Sequence, residues 1–170
     1  MLHAVIDDLS RPFPEAANGA RWQVLSDQVM GGVSAGRLTR ESLEGNRCNR
    51  LTGDVSLANN GGFLQMALDL DPQGLSVDAS RFSAIEIEVR GNDEAYGLHL
   101  RTADIMRPWQ SYRQSFLATS SWRRISLPLS GFEAHRIDAP LAVSRLRRIG
   151  LVAIGRAFTA DLALAEIRFA

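Results

Sequence analysis

The chain reads as an all-β protein, an antiparallel β-sandwich. Three observations predict it. Apolar and polar residues alternate with period two in run after run, as they do where a strand buries one face and wets the other. Turn signals rich in Gly, Asn, Asp and Pro separate those runs at short intervals. No segment sustains the 3.6-residue apolar repeat of an amphipathic helix.

The elements follow in order. A first strand is expected at Trp22–Ser26, closed by the turn at Met30-Gly31-Gly32. Ala35–Glu44 is one of two short helix candidates. Leu51, Gly53, Val55 and Leu57 then share one strand face while Thr52, Asp54 and Ser56 share the other. After the turn Asn59-Asn60-Gly61-Gly62, Leu64, Met66, Leu68 and Leu70 alternate with Gln65, Ala67 and Asp69. Beyond Asp71-Pro72-Gln73-Gly74, Ile85, Ile87 and Val89 alternate with Glu86, Glu88 and Arg90. Tyr96, Leu98 and Leu100 alternate with Gly97, His99 and Arg101. Further strands are expected at Gln110–Leu117, Trp122–Leu129, Arg148–Ile154 and Phe158–Phe169, with the second helix candidate at Ala139–Arg147. A turn at Gly91–Glu94 would make the strands around Glu86 and His99 a hairpin. Its outer face would carry Glu86, Glu88, Arg90, His99 and Arg101. The next strand would add either Ser111, Arg113 and Ser115 or Gln110, Tyr112 and Gln114.

Composition bounds the rest. At 170 residues folding buries about 70% of the unfolded surface, so one domain over 1–170 needs neither disulfide nor metal to hold a core. The 19 basic and 19 acidic side chains cancel, and without a basic surplus there is no electrostatic case for nucleic acid. Every one of those basic residues is arginine, which removes Schiff-base, P-loop and general-base lysine chemistry and leaves planar forks suited to bidentate pairing. The lone Cys48 has no internal disulfide partner. Met1-Leu2-His3-Ala4-Val5-Ile6-Asp7-Asp8 has neither signal-peptide nor transit-peptide character, and no apolar run is long enough for a membrane helix. The expectation is a cytoplasmic protein without membrane insertion.

Several motifs carry a chemical reading and a plainer one. Gly32-Val33-Ser34-Ala35-Gly36 matches the G-x-S-x-G nucleophile elbow, with Asp104 and His135 following in the order hydrolases of that kind use. The strand–helix alternation of that fold is missing, so a glycine-rich loop is preferred and Ser34 as a serine nucleophile is the remote alternative. Gly150 to Gly155 has phosphate-loop spacing but an apolar interior and no lysine, and is rejected. Asp69 and Asp71, with Gly74 at the sixth position, begin like a calcium loop that Asp78 could help as an irregular site, but Ser80 stands where the bidentate Glu belongs, so Asx-capped turns are preferred. His3, His99 and His135 lack metal spacing. Trp22 and Trp122 open strands and are expected in or at the edge of the core. Trp109 sits in a loop, where it could stack on a sugar; folding back over the core is the preferred reading. Glu86, His99, Arg101, Arg113, Tyr112 and Trp109 form the candidate ligand face, suited to a polyhydroxylated ligand if the sheet is concave.

Several segments taken together carry a resemblance. They are Trp22 with Asp27-Gln28-Val29-Met30-Gly31-Gly32-Val33-Ser34, Gly53 with Asn59-Asn60-Gly61-Gly62-Phe63, and Ile85 to Gly91. Tyr96 to Arg101, Tyr112 with Phe116, and Trp122 to Phe132 complete them. Over nearly the whole chain this resembles the complex I (NADH:ubiquinone oxidoreductase) intermediate-associated protein 30 family. The resemblance implies a jelly-roll β-sandwich similar to galactose-binding domains, a non-enzymatic role, no cofactor and no catalytic residues to carry over. It implies protein partners, since mitochondrial members act as assembly chaperones for the respiratory complex; a stand-alone, lysine-free version looks bacterial. The expected function is thus a protein-binding assembly factor or scaffold, with a carbohydrate-binding module as the alternative. The motif loops, Asp27, Met30, Gly31, Gly32 and Ser34 with Asn60, Gly61 and Gly62, are expected to serve the backbone: glycine for positive φ or close approach, Asp27 as acceptor for turn amides.

Overall fold

The computed structural model describes residues 2–170. Its twelve strands among those residues are β1 (Val5–Asp7), β2 (Gln23–Ser26), β3 (Ala35–Leu43), β4 (Asn46–Val55), β5 (Phe63–Asp69), β6 (Ala84–Arg90), β7 (Glu94–Thr102), β8 (Ser111–Ala118), β9 (Arg123–Pro128), β10 (Glu133–His135), β11 (Leu146–Ile154) and β12 (Phe158–Phe169). They form two antiparallel six-stranded sheets. The first runs β3-β4-β12-β6-β9, with β1 also beside β12; the second runs β10-β8-β7-β11-β5-β2. This is the jelly-roll sandwich expected from the alternation and the resemblance.

The inward faces follow the sequence pattern. Leu64, Met66, Leu68, Leu98 and Leu100 from the second sheet and Ile85, Ile87 and Val89 from the first are all buried between the layers. Burying side chains of this size is worth about 1.5–3 kcal/mol each. On β12 the inward phase changes. Ala160, Leu162 and Leu164 face in, then Ile167 and Phe169, because a bulge between Leu164 and Glu166 inserts Ala165 and resets the alternation. Twelve residues long, β12 pairs β4 with its first half, β1 near its end and β6 along its second half.

Three expectations are corrected. Ala35–Glu44 is not a helix but β3, paired with β4 over Ala35 to Leu43; its Thr, Ser and β-strand partner outweigh a weak helical pattern. Ala139–Arg147 holds a single 3₁₀ turn at Val143–Arg145 before β11 begins. The Gly91 turn does not close a hairpin either: β6 pairs β9 and β12, while β7 pairs β8 and β11 in the other sheet. The chain crosses the sandwich there, so that Ile87 and Leu98 belong to opposing inner faces of one core. Their identical alternation fits that arrangement as well as a hairpin. Among the described residues no helix is long and apolar enough to cross a membrane.

Candidate functional site

The outer face of the second sheet carries a groove. By register, His99 lies opposite Arg113 on β8 and Gly150 on β11, and Gly150 lies opposite Ala67 on β5. The same parity turns Gln65, Val152, Arg101 and Arg148 outward, and His135 lies opposite Ser111 at the far edge. These side chains floor a cavity of about 290 Å³, walled by the loops that carry Trp109 on one side and Met30, Leu57 and Gly62 on the other. That is near the lower end for small-ligand pockets.

Small residues keep the floor low. A Cβ at Gly97 would stand 2.9 Å from His99 Nε2, and one at Gly150 would stand 2.4 Å from Gln65 Oε1. The imidazole and the amide therefore lie along the sheet over neighbouring glycines. Burial pushes the His99 pKa down to about 3, with Arg113 and then His135 adding repulsion. The ring is neutral at ordinary pH and offers one donor and one acceptor. Burial lowers His135 too, with Arg113 and Arg136 acting in the same direction.

Arg101 builds the wall instead of facing a ligand. Its Nη1 donates to the carbonyls of Pro108 at 3.2 Å and Gln110 at 3.0 Å, and its Nη2 to Arg107 at 3.4 Å. Gln110 Oε1 accepts from the amides of Met106 and Arg107, both at 3.1 Å. The loop is thereby held with Trp109 outward, 52% exposed; it does not fold back over the core, contrary to the preferred expectation. Arg113 Nε donates to Ser111 Oγ at 2.8 Å, and Arg148 Nε to Asp69 Oδ1 at 2.8 Å.

Two candidate ligand residues lie elsewhere. Glu86 is on β6, opposite Arg168 and Ser126 in the first sheet, on the far side of the sandwich. Tyr112 takes the opposite parity from Arg113 and is buried in the core, its hydroxyl donating to Ala139 O at 2.7 Å. Trp22 is buried, its Nε1 donating to Asp7 Oδ2 at 2.7 Å, and Trp122 reaches Leu43 O at 2.9 Å from the core edge.

The motif loops form a cradle around one buried carboxylate. Asp27 begins a 3₁₀ turn, Asp27–Met30, that Gly31 closes at φ 87°. Asp27 Oδ1 accepts from Ser34 N at 2.9 Å, while Oδ2 accepts from Ser34 Oγ at 2.5 Å, Gly62 N at 2.5 Å and Phe63 N at 3.2 Å. Burial alone would raise this acid, but the Ser34 hydroxyl and the Gly62, Ser34 and Phe63 amides outweigh it and hold the pKa below the usual carboxylate range. A Cβ at Gly32 or Gly61 would come within 2.5 Å of the carboxylate, so both glycines are places of close approach. Asn60 takes φ 59°, a left-handed conformation that Asn tolerates. The cradle thus fixes the loops whose Met30, Leu57 and Gly62 wall the groove.

Ser34 is consequently no elbow serine. Its hydroxyl is buried between Asp27, Ser56 N at 2.8 Å and Ser56 O at 3.2 Å, and a strand follows it. Asp104 pairs with Arg145 at 2.8 Å. Nor do the acids of the calcium candidate converge. Asp69 pairs with Arg148, Asp71 caps Gln73 and Leu75, and Asp78 caps Ser80. Among the described residues no three His, Cys, Asp or Glu side chains gather to hold a metal ion. A wider cavity of about 1240 Å³ lies between the N-terminal segment and Pro72, Asp78 and Arg81. Its Asp71, Asp78 and Arg81 are engaged with their own turns or with Leu2 O.

The family model described as complex I intermediate-associated protein 30 matches residues 12–164. The chain belongs to this family. No curated protein matches it at the sequence level. Among solved structures, a family 11 carbohydrate-binding module from Clostridium thermocellum, in complex with a β-1,3-1,4-mixed-linked tetrasaccharide, superposes with TM-score 0.75 at 13% identity, covering 98% of this chain and 94% of that one. The family 11 module of a cellulosomal cellulase from the same organism gives 0.75 at 12% identity, over 99% and 95%. A family 30 module of another of its cellulosomal cellulases gives 0.61 at 15%, over 82% and 90%. At these identities the likeness is one of fold. The intermediate-associated protein 30 chain and these modules share a sandwich.

Proposed function

We propose that the chain is a non-catalytic binding protein, an assembly factor or scaffold that holds a polypeptide segment in the groove of its second sheet. One observation carries this reading. Val29 at 77% exposure, Met30 at 56%, Leu57 at 51% and Trp109 at 52% stand around a single cavity. Clustered exposed apolar side chains beside polar ones mark association surfaces. Unbranched Met and rigid Trp are suited to adaptable contact with another chain. The description of the family, complex I intermediate-associated, supports subunits of the respiratory complex as the class of partner.

A photo-crosslinking residue at Met30, in cells that make complex I, tests it. Crosslinks to complex I subunits, lost on Trp109→Ala, are expected; their absence from Met30 and from a second probe at Leu57 would overturn the reading.

A carbohydrate-binding module is the second reading. It is favoured by the Trp109 ring beside neutral His99, Gln65 and Arg113, polar groups that could meet sugar hydroxyls. A glycan array is its test, with binding abolished by Trp109→Ala as the expected result.

A further inference from the structure

The groove has a sign. The chain as a whole is neutral, yet Arg101, Arg113 and Arg148 line this cavity with His99 and His135, and among the described residues no Asp or Glu lines it. Asp69 neutralises Arg148 from the rim. Arg101 is held by carbonyls, which leave its charge uncompensated. Arg113 is half-buried, and Nε bonds Ser111. Its two terminal nitrogens make no hydrogen bond within the described residues, and Glu133, opposite it in register, forms no ion pair with it.

A partly desolvated fork without a counter-ion is costly, and it fits a carboxylate bidentately. Burial lowers the Arg113 pKa, with Arg136 repelling it; burial also lowers that of Arg101, with Arg148 and Arg147 repelling it. Positive charge is thus crowded at the groove, and an arriving anion would relieve it.

We infer that the groove's occupant is an acidic polypeptide segment with interspersed apolar side chains, a carboxylate docking on Arg113 and the apolar groups on Met30, Leu57 and Trp109. This rests on the polypeptide-binding function proposed above and names the chemistry of its partner.

The test is selection of a phage-displayed random dodecamer library on the immobilised chain, with the recovered peptides then titrated against variants. Enrichment of Asp and Glu together with Leu, Met or Phe is expected. Affinity should fall about tenfold or more in Arg113→Gln, less in Arg113→Lys, and with added salt. Thermal melts establish that both variants fold. Neutral or basic peptides that bind through Trp109 and ignore Arg113 would overturn the acidic preference and leave the polypeptide function standing. Recovery of no peptide sensitive to Trp109→Ala or Met30→Ser would overturn both. Oligogalacturonate serves as an anionic sugar probe; binding through Arg113 by that probe but by no peptide would also overturn both.

Discussion

Asp27 Oδ2 accepts the amide proton of Gly62 at 2.5 Å, so one buried carboxylate ties the loop after β2 to the loop before β5. The same oxygen accepts from the Ser34 hydroxyl, and the other from the Ser34 amide. Asp27→Asn replaces one acceptor oxygen with a donor that opposes these groups. It should cost at least about 2 kcal/mol in urea unfolding. The folded pKa of Asp27 is lowered, so its contribution is present above the unfolded value near 4 and is lost as pH falls through the folded one. The wild type should lose this part of its stability in that acid range, whereas Asp27→Asn should lose none of it.

The glycines beside this carboxylate separate two kinds of requirement. Gly31 has φ 87° with nothing near its missing Cβ, whereas the Cβ of an alanine at 32 would meet Asp27 at 2.5 Å. Gly31→Ala should cost about 1–2 kcal/mol, the left-handed penalty alone. Gly32→Ala must push the carboxylate off its donors and should cost more, with the excess shrinking in an Asp27→Ala background. A double-mutant cycle measures that coupling. Equal costs, or none of this coupling, would count against the cradle.

The core was legible in the sequence because burial and strand period coincide. Ile85, Ile87 and Val89 alternate with charges, and all three are buried. Alternation gives the inward face of a strand but not its sheet. A hairpin and a crossover of the sandwich bury the same residues, so alternation alone groups Glu86 with His99, whereas Glu86 stands on the far face. The groove did leave a sign: Gly97 and Gly150 occupy outward positions in strands where a side chain would ordinarily sit. Trp109's exposure was not readable, since it depends on Arg101 reaching three carbonyls in the following loop.

Tyr96 links the two sheets. Its hydroxyl donates to Asn92 Oδ1 at 2.6 Å and accepts from the Asp161 amide of β12 at 3.0 Å. Burial pushes its pKa up to about 12. Tyr96→Phe keeps the ring against Phe116 and Phe158 but strands the amide, and should lower stability by about 1–3 kcal/mol. Faster hydrogen exchange at the Asp161 amide is the accompanying signature. An unchanged amide would mean the bond does not form.

The loop wall should separate from the fold. Trp109 is half-exposed, so Trp109→Ala should change unfolding free energy by no more than about 0.5 kcal/mol. Arg101→Lys keeps the charge but cannot span three carbonyls. Exchange at the amides of Met106, Arg107, Trp109 and Gln110 should then rise at least severalfold while amides in β7 and β11 stay protected. Uniform loss of protection across both strands would show instead that Arg101 supports the sheet itself.

His99 should govern stability in mild acid. Its folded pKa is pushed down to about 3, by burial first and then by Arg113 and His135, while an unfolded chain holds its histidines near about 6.5. Above that value neither state is protonated and the contribution is complete. As pH falls below it, the unfolded chain takes up a proton that the folded groove refuses, so stability declines progressively down to about pH 3. The expected profile is a loss between pH 6.5 and 4 in urea unfolding that precedes the carboxylate-driven loss at lower pH. His99→Gln keeps an amide over Gly97 without a titrating group and should make this upper limb shallower, leaving the share of His135, whose pKa is also lowered, and the Asp27 limb in place. NMR titration should find the His99 imidazole neutral at pH 5. A His99 that titrates near 6.5, or a His99→Gln profile as steep as the wild type, would place the ring in solvent and remove the neutral donor–acceptor from the groove floor.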